Sequence, residues 1–226
     1  MNNTILYIAT VLIWGSTWLA ITFQLGVVDP VVSVSYRFAL AAALLLIYCV
    51  IKGRRMRFSI QDHLFMLLLG ASLFGINYWL FYQVTEHLTS GLVAVTFSTV
   101  VLMNVFNGRV FLGNSIQPRV ILAAVIGLIG ITLVFWEELS AFSLRNSGSL
   151  ALGMAFLATY SASLGNIISV RNQRRGVPVL QANAYGMSYG TVLMCLIALA
   201  DGRAFSFDWS PPYLLSLLYL AAVSYT

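Results

Sequence analysis

Arg37 is a charged residue inside a run, residues 31–50, that is otherwise almost wholly apolar. A charge within so long an apolar segment is costly and needs a partner or a role. Two interpretations remain open. The long side chain lifts its guanidinium toward the polar boundary or pairs with an acid near the helix end, Glu86 or Asp29. Alternatively, its fork of donors binds an anionic group such as a carboxylate.

Two other segments place aromatic side chains at helical spacing beside small or polar ones. Trp14 and Trp18 lie four residues apart, on one face of a predicted helix, and form either the wall of a cavity or a packing surface. Asn77 is followed by Tyr78 and Tyr82, which share a face at the same spacing. An amide in an apolar environment needs a partner, so Asn77 should face the interior of the bundle, at a cavity or at a packed interface.

Polar and aromatic residues also recur later in the chain. Asn104 is polar enough to line a path, and Tyr160, Asn166 and Tyr185 occupy comparable places in the second part of the sequence. Tyr185 lies seven residues after Pro178, as Arg37 lies seven residues after Pro30, so the two are predicted to correspond. We find no pattern typical of a catalytic centre, a metal site or a cofactor site, and no acidic residue in the middle of a complete apolar run.

The elements that must position these residues are membrane-spanning helices. Hydrophobic residues make up 60% of the chain and charged residues only 8%, against about 25% in soluble domains. The apolar runs are about 20 residues long, which is the length of a spanning helix and about twice that of a barrel strand. The composition therefore predicts an all-α integral membrane protein.

Seven complete spans and part of an eighth are predicted. They cover residues 4–25, 31–51, 64–84, 92–110, 120–136, 150–170 and 179–200, and the eighth begins near Tyr213. From Tyr213 to the last residue, the chain reaches only about 21 Å, against a hydrocarbon core of about 30 Å. We therefore expect the natural protein to continue beyond this sequence.

The basic residues predict the orientation and exclude a nucleic-acid partner. With the N-terminus in the cytoplasm, most basic residues fall in short cytoplasmic loops, and only Arg145 and Arg203 fall in outer ones. The cytoplasmic set is Lys52, Arg54, Arg55, Arg57, Arg109, Arg119, Arg171, Arg174 and Arg175. This is the distribution of a membrane protein in the cell's inner membrane rather than of a nucleic-acid-binding face.

A faint repeat divides the chain. In each part, a helix that contains an aromatic residue, Trp14 or Tyr160, leads through a turn with a proline, Pro30 or Pro178, into a second helix. Because five spans precede the second copy, it enters the membrane from the opposite side. The expected units are a first five-helix repeat at residues 1–136, an extracytoplasmic linker at 137–149 and a partial second repeat at 150–226.

Several motifs, in order, resemble those of the EamA-like branch of the drug/metabolite transporter superfamily. They are "LIWGSTWLAI", "DPVVSVSYRFALAAALLL", "HLTSGLVAVTFS" and "FLGNSIQPRVILAAVIGLIGITLV". The resemblance implies ten spans in two inverted five-helix repeats. There are departures: the fourth span lacks the family's proline, Asn114 replaces a glutamate, and Tyr160 replaces a tryptophan.

The resemblance implies a secondary transporter that moves small metabolites, amino acids or drugs by alternating access, with export favoured. The expected partners are the lipid bilayer, a small-molecule substrate and, as an option, a second copy of the chain. Two alternatives stay open, a facilitative channel and a seven-helix receptor. The receptor is disfavoured because receptors of that kind have an outer N-terminus, and an enzyme is not expected.

Overall fold

The computed structural model describes residues 3–24, 26–84, 87–142 and 147–223, and these form helices joined by short loops. We number the long helices one to eight. The bounds are Asn3–Thr22, Pro30–Ile51, Ile60–Val84, Ser90–Leu112, Pro118–Val134, Ser147–Arg174, Val179–Ala200 and Pro211–Val223. A short helix, Trp136–Ala141, lies between the fifth and the sixth.

Five of these helices are long and apolar enough to cross a membrane: the second, third, fourth, sixth and seventh. The fifth and eighth are apolar but shorter, with 17 and 13 residues. The fifth was predicted to run to Trp136, but it ends at Val134 because the backbone of Phe135 leaves the helical region, with φ −104° and ψ 26°. Trp136 instead begins the short helix.

Polar residues define where the second and third helices begin. Pro30 occupies the first turn of the second helix, where its missing N–H costs nothing, and the Asp29 carboxylate accepts a hydrogen bond from the Val31 N–H. Ser59 caps the third helix by accepting from the Asp62 N–H. These caps fix the helix starts within a few residues of the predicted bounds.

The second and seventh helices form the centre of the bundle and run antiparallel. Tyr36, near the start of the second, contacts Ser206, which follows the end of the seventh. Tyr185, near the start of the seventh, contacts Met56, which follows the end of the second. Residues of the second, third, seventh and eighth helices together build the main apolar core.

The remaining contacts follow an inverted repeat. The third helix packs against the sixth and seventh, and the eighth packs against the first and second. If the first three helices correspond to the sixth, seventh and eighth, these two sets of contacts are equivalent. The packing therefore confirms the predicted all-α inverted-repeat fold.

The loops that carry most of the basic residues share one end of the bundle. Gln181 bonds the carbonyl of Arg55 at 3.4 Å, which joins the loop after the second helix to the start of the seventh. Arg174 bonds the carbonyl of Leu112 at 3.0 Å, which joins the ends of the sixth and fourth helices. We call this the basic end and the other the opposite end.

Candidate functional site

Two helices are irregular in the middle of their spans. The third helix changes from α to π geometry over Gly70–Ile76 before it continues as Asn77–Val84. The fourth is interrupted at Thr99, between the segments Ser90–Ser98 and Val100–Leu112. Irregular helices at membrane depth are typical of functional sites because they free backbone groups for other partners.

The sixth helix supports the π-helical segment directly. The Ser161 hydroxyl donates to the carbonyl of Ser72 at 2.9 Å. Gly165 lies so close to the same turn that a Cβ there would be 2.7 Å from the Cβ of Leu73. The irregular turn is therefore held by a hydroxyl and by a glycine that permits close approach.

Asn77 lies at a packed interface between the third and sixth helices. It is buried, and its amide nitrogen donates to the carbonyl of Ala158 at 2.8 Å. The sequence left open whether Asn77 lies at a cavity or at a packed interface, and the structure shows that its amide nitrogen lies at an interface. Tyr160, two residues beyond Ala158, is exposed on the surface of the bundle and does not join Asn77.

Asn104 and Asn166 meet on neighbouring helices, the fourth and the sixth, with a long hydrogen bond of 3.4 Å. One turn away, Asn107 donates to Ser163 at 2.9 Å, and both are buried. In the part of the chain that the structure describes, the Asn107 side-chain oxygen has no hydrogen-bond partner. The i, i+3 spacing of Asn104 with Asn107, and of Ser163 with Asn166, could have identified this polar seam from the sequence.

Arg37 lies inside the bundle, between the second and third helices. It is buried, and its guanidinium carbon lies 5.4 Å from the ring centre of Phe38 and 5.9 Å from that of Tyr78. The two rings meet edge to face at 5.1 Å. The quadrupoles of these two rings stabilise the buried guanidinium of Arg37.

Of the two acids predicted as partners of Arg37, one pairs with another residue and the other lies outside the described residues. Asp29 forms an ion pair with Arg203 at 2.8 Å. Glu86 lies outside the described residues. The predicted site residues Trp14, Trp18 and Tyr82 have helical backbones, but their side chains also lie outside the described part of the structure.

Tyr185 lies at the basic end of the bundle. Its hydroxyl donates to the carbonyl of Met56 at 2.8 Å, and its ring meets Phe58 at 6.1 Å. His63 is also there, with its ring 4.8 Å from that of Tyr185 and its Nδ1 2.9 Å from the hydroxyl of Tyr189.

An equivalent arrangement stands at the opposite end. The Tyr36 hydroxyl donates to the carbonyl of Ser206 at 3.1 Å, and its ring meets Phe207 at 5.5 Å. We call the two arrangements tyrosine corners: Tyr36 with Phe207, and Tyr185 with Phe58. The structural counterpart of Tyr185 is therefore Tyr36, and the predicted correspondence with Arg37 is wrong by one residue.

A short repeat in the sequence marks both corners. "GRRMRF" begins at Gly53 and "GRAFSF" at Gly202, so Gly, Arg and Phe recur at the same spacing. Both glycines have positive φ, 58° and 67°, which turns the chain after the second and seventh helices. Sequence reasoning missed this signal because the repeat is six residues long and lies in loops.

The predicted residues thus fall into separate groups rather than one cluster. Arg37 with Tyr78, Asn77 at the sixth helix, and Asn104 with Asn166 lie between helices, whereas Tyr185 lies at the basic end and Tyr160 on the surface. Amides, hydroxyls and one guanidinium inside an apolar bundle can bind a small polar molecule by hydrogen bonds. The described residues include no group of three or more His, Cys, Asp or Glu that could hold a metal ion.

An all-helical membrane bundle that is built as an inverted repeat, with irregular helices at mid-span, is the architecture of secondary transporters. The chain belongs to the EamA-like transporter family, whose match covers residues 3–136. The family consists of transporters and not of enzymes, and the resemblance noted from the motifs is confirmed.

Two curated relatives are similar to this chain, and one of them is named a transporter. Protein PagO of Salmonella typhimurium is 26% identical over 138 residues, which are 61% of this chain and 45% of PagO. The uncharacterized transporter YoaV of Bacillus subtilis is 23% identical over 220 residues, 96% of this chain and 73% of YoaV. The match to PagO thus spans about half of that protein's length.

One crystal structure of a protein superposes with a TM-score of 0.73 and 14% sequence identity. The superposition covers 95% of this chain and 75% of the other. At that identity, the likeness concerns the fold alone.

Proposed function

We propose that this protein is a secondary carrier that moves small metabolites, amino acids or drugs across the cytoplasmic membrane by alternating access. The observation that carries the proposal is the antiparallel contact of the second and seventh helices, flanked by helices that are irregular at mid-span. An inverted repeat gives two equivalent arrangements of the same helices, one open to each side of the membrane. The units would be residues 1–136 and 150–226, with 137–149 as the outer linker.

The orientation follows from the basic end. Loops rich in lysine and arginine remain in the cytoplasm, so the basic end would face inward and the N-terminus would be cytoplasmic. Single cysteines test this in a variant that lacks Cys49 and Cys195. In intact cells, a membrane-impermeant thiol reagent should label Ala204→Cys and spare Lys52→Cys. The reverse pattern would refute the orientation.

Arg37 is the residue we propose for the anionic group of the substrate. Its guanidinium is positioned by Phe38 and Tyr78 at the side of the third helix, close to the π-helical segment. A carboxylate bound there would place an amphipathic, amino-acid-like molecule with its apolar part against aromatic rings. The substrate would be exported, a direction that rests on the family resemblance.

The first experiment measures accumulation in cells. The complete gene would be expressed in a host deficient in exporters, which is then challenged with toxic amino-acid analogues and lipophilic drugs. We expect lower intracellular accumulation of the analogues. Unchanged accumulation of every compound, with the protein present in the membrane, would contradict export.

Substitution of Arg37 then separates binding from packing. Arg37→Lys keeps the charge but loses the planar fork, so it should raise KM for a carboxylate substrate at least tenfold. Normal transport by a folded Arg37→Ala protein would exclude this residue from the substrate site.

Counterflow in proteoliposomes distinguishes a carrier from a channel. An alternating-access carrier exchanges labelled for unlabelled substrate against a gradient and saturates, whereas a channel does neither. Linear, non-saturating flux would favour the channel.

A further inference from the structure

A cleft of about 500 Å³ lies between the fourth, fifth and sixth helices and is lined by none of the predicted site residues. Its volume falls in the range of about 300–1,000 Å³ that is typical of pockets for small molecules. The lining residues are Leu92, Val95, Thr96, Thr99, Leu128, Thr132, Leu139, Phe142, Leu152 and Phe156.

The lining is apolar, uncharged and poor in free donors. Seven of the ten lining residues are hydrocarbon or aromatic. The hydroxyls of two of the threonines are used within the fourth helix, Thr96 on the carbonyl of Leu92 at 2.8 Å and Thr99 on that of Thr96 at 2.6 Å. A cavity with this lining does not hold water well and takes apolar occupants.

The cleft lies at the edge of the described bundle rather than in its centre. No residue of the fifth helix is buried, and its side chains at Leu122, Ile126 and Ile129 are more than half exposed. On the other side, Leu157 of the sixth helix is 55% exposed. No described helix covers these surfaces, so in a membrane acyl chains have access to the space between them.

The cleft runs along the fourth helix. It begins at Leu92 and Leu139, at the opposite end of the bundle, and reaches Thr99, where the fourth helix is interrupted. Seven residues of helix correspond to about 10 Å, which is a large part of one leaflet. The shape suits an extended chain that enters from the outer surface.

The mouth of the cleft is acidic. Glu138 precedes Leu139, and its carboxylate accepts a hydrogen bond from the Gly91 N–H at 3.0 Å. Glu137 beside it is exposed. Two carboxylates at the entrance favour a headgroup that carries an ammonium group and disfavour one with net negative charge.

We propose that this cleft binds one acyl chain of an outer-leaflet phospholipid whose headgroup carries an ammonium group, as in phosphatidylethanolamine. The bound chain fills the space between the fifth and sixth helices and contacts the interruption in the fourth. The assignment to the outer leaflet rests on the orientation proposed above. The lipid site itself does not, so it can be tested even if the transport proposal fails.

The test counts tightly bound lipids on the purified protein by native mass spectrometry. Leu128→Trp fills the cleft and should remove one lipid per chain. Leu122→Trp, on the same helix but 61% exposed, adds the same side chain to the lipid-facing surface and should leave the count unchanged. Equal lipid counts for the two variants would overturn the proposal.

A second measurement uses a lipid that can be cross-linked to the protein. Phosphatidylethanolamine with a photoactivatable acyl chain should label peptides that contain Leu128 or Phe156. Labelling should fall severalfold when phosphatidylglycerol with the same acyl chain replaces phosphatidylethanolamine. Glu138→Gln keeps an acceptor for the Gly91 N–H but removes the charge, so it should reduce the difference in labelling between the two lipids. Labelling spread evenly over all lipid-facing helices would show ordinary solvation by lipid. If Leu128→Trp were monomeric while Leu122→Trp were dimeric, a second copy of the chain, and not a lipid, would fill the cleft. Either result would refute the proposal.

Discussion

At the scale of single residues, the two oxygens of the Asp29 carboxylate make separate contacts. One oxygen accepts from the Val31 N–H at the start of the second helix, and the other bonds Arg203 at 2.8 Å. Burial lowers the pKa of Arg203, but the hydrogen bonds and charges of Asp29 and Asp201 outweigh it and raise the pKa above its usual value. The guanidinium therefore remains charged at every accessible pH.

Two substitutions separate these contacts. Asp29→Ala removes the cap and the ion pair, and should lower the free energy of unfolding by about 1–2 kcal/mol. Asp29→Ser keeps a capping oxygen and loses only the partly exposed ion pair, which is worth about 0–1 kcal/mol. Denaturant titration in detergent measures both, and equal losses would mean that the cap contributes nothing.

Asn77 gives a second prediction at this scale. Its hydrogen bond to the Ala158 carbonyl at 2.8 Å is short and buried, whereas that between Asn166 and Asn104 is 3.4 Å long. Asn77→Ala should cost about 1 kcal/mol, within the range for interhelical hydrogen bonds in membranes, and Asn104→Ala should cost less. The reverse order of unfolding free energies would contradict this ranking.

The sequence predicted the need for such partners but not the partners themselves. An amide in an apolar helix must be satisfied, and that much follows from Asn77 alone. That its acceptor is a carbonyl of the sixth helix depends on how two helices 81 residues apart cross. Periodicity within one helix contains no information about that crossing.

At the scale of helices, close packing of the third and seventh depends on glycine. A Cβ on Gly70 would overlap the carbonyl oxygen of Gly186, and one on Gly190 would lie 3.0 Å from the carbonyl oxygen of Gly70. The obstacle is backbone, so it cannot move aside without separating the helices. Small residues at both surfaces allow this contact.

Gly70→Ala should therefore destabilise the protein by about 2–3 kcal/mol or more, as overpacking does. Gly127→Ala is the matched control, because a Cβ there meets nothing within 4 Å on the fifth helix. The control should be neutral or slightly stabilising, since alanine favours helices. Thermal unfolding in detergent compares the two, and equal melting temperatures would exclude the contact.

Helix positions were largely predictable, whereas helix irregularities were not. The second helix was predicted at residues 31–51 and is Pro30–Ile51, and the seventh was predicted and found at Val179–Ala200. Apolar length and flanking proline are sufficient for such bounds. The π-helical turn Gly70–Ile76 includes the carbonyl of Ser72, which accepts from Ser161 in a segment distant along the chain.

At the scale of the whole molecule, the two tyrosine corners are equivalent points of the inverted repeat. Each joins the start of one central helix to the loop that follows the other. Tyr36→Phe and Tyr185→Phe each remove one hydrogen bond to a loop carbonyl and keep the ring. The two losses of unfolding free energy should be similar, about 0.5–1.5 kcal/mol each.

The double variant tests whether the corners act independently. Because they lie at opposite ends of the bundle and share no partner, the losses should add within about 0.5 kcal/mol. Non-additivity above that value, measured in the same denaturant titration, would show that the two ends are energetically coupled. Phe58→Leu and Phe207→Leu provide controls that leave both hydrogen bonds in place.

The antiparallel pairing of the second and seventh helices also has a consequence for biosynthesis. The second helix is complete at Ile51 and the seventh only at Ala200. At about 5–20 residues per second, roughly 8–30 s of translation separate the two. During that interval the second helix, which contains Arg37, lies in the membrane without the seventh helix to pack against. Newly made chains are therefore most open to proteases and to wrong helix pairing before the ribosome reaches the seventh helix.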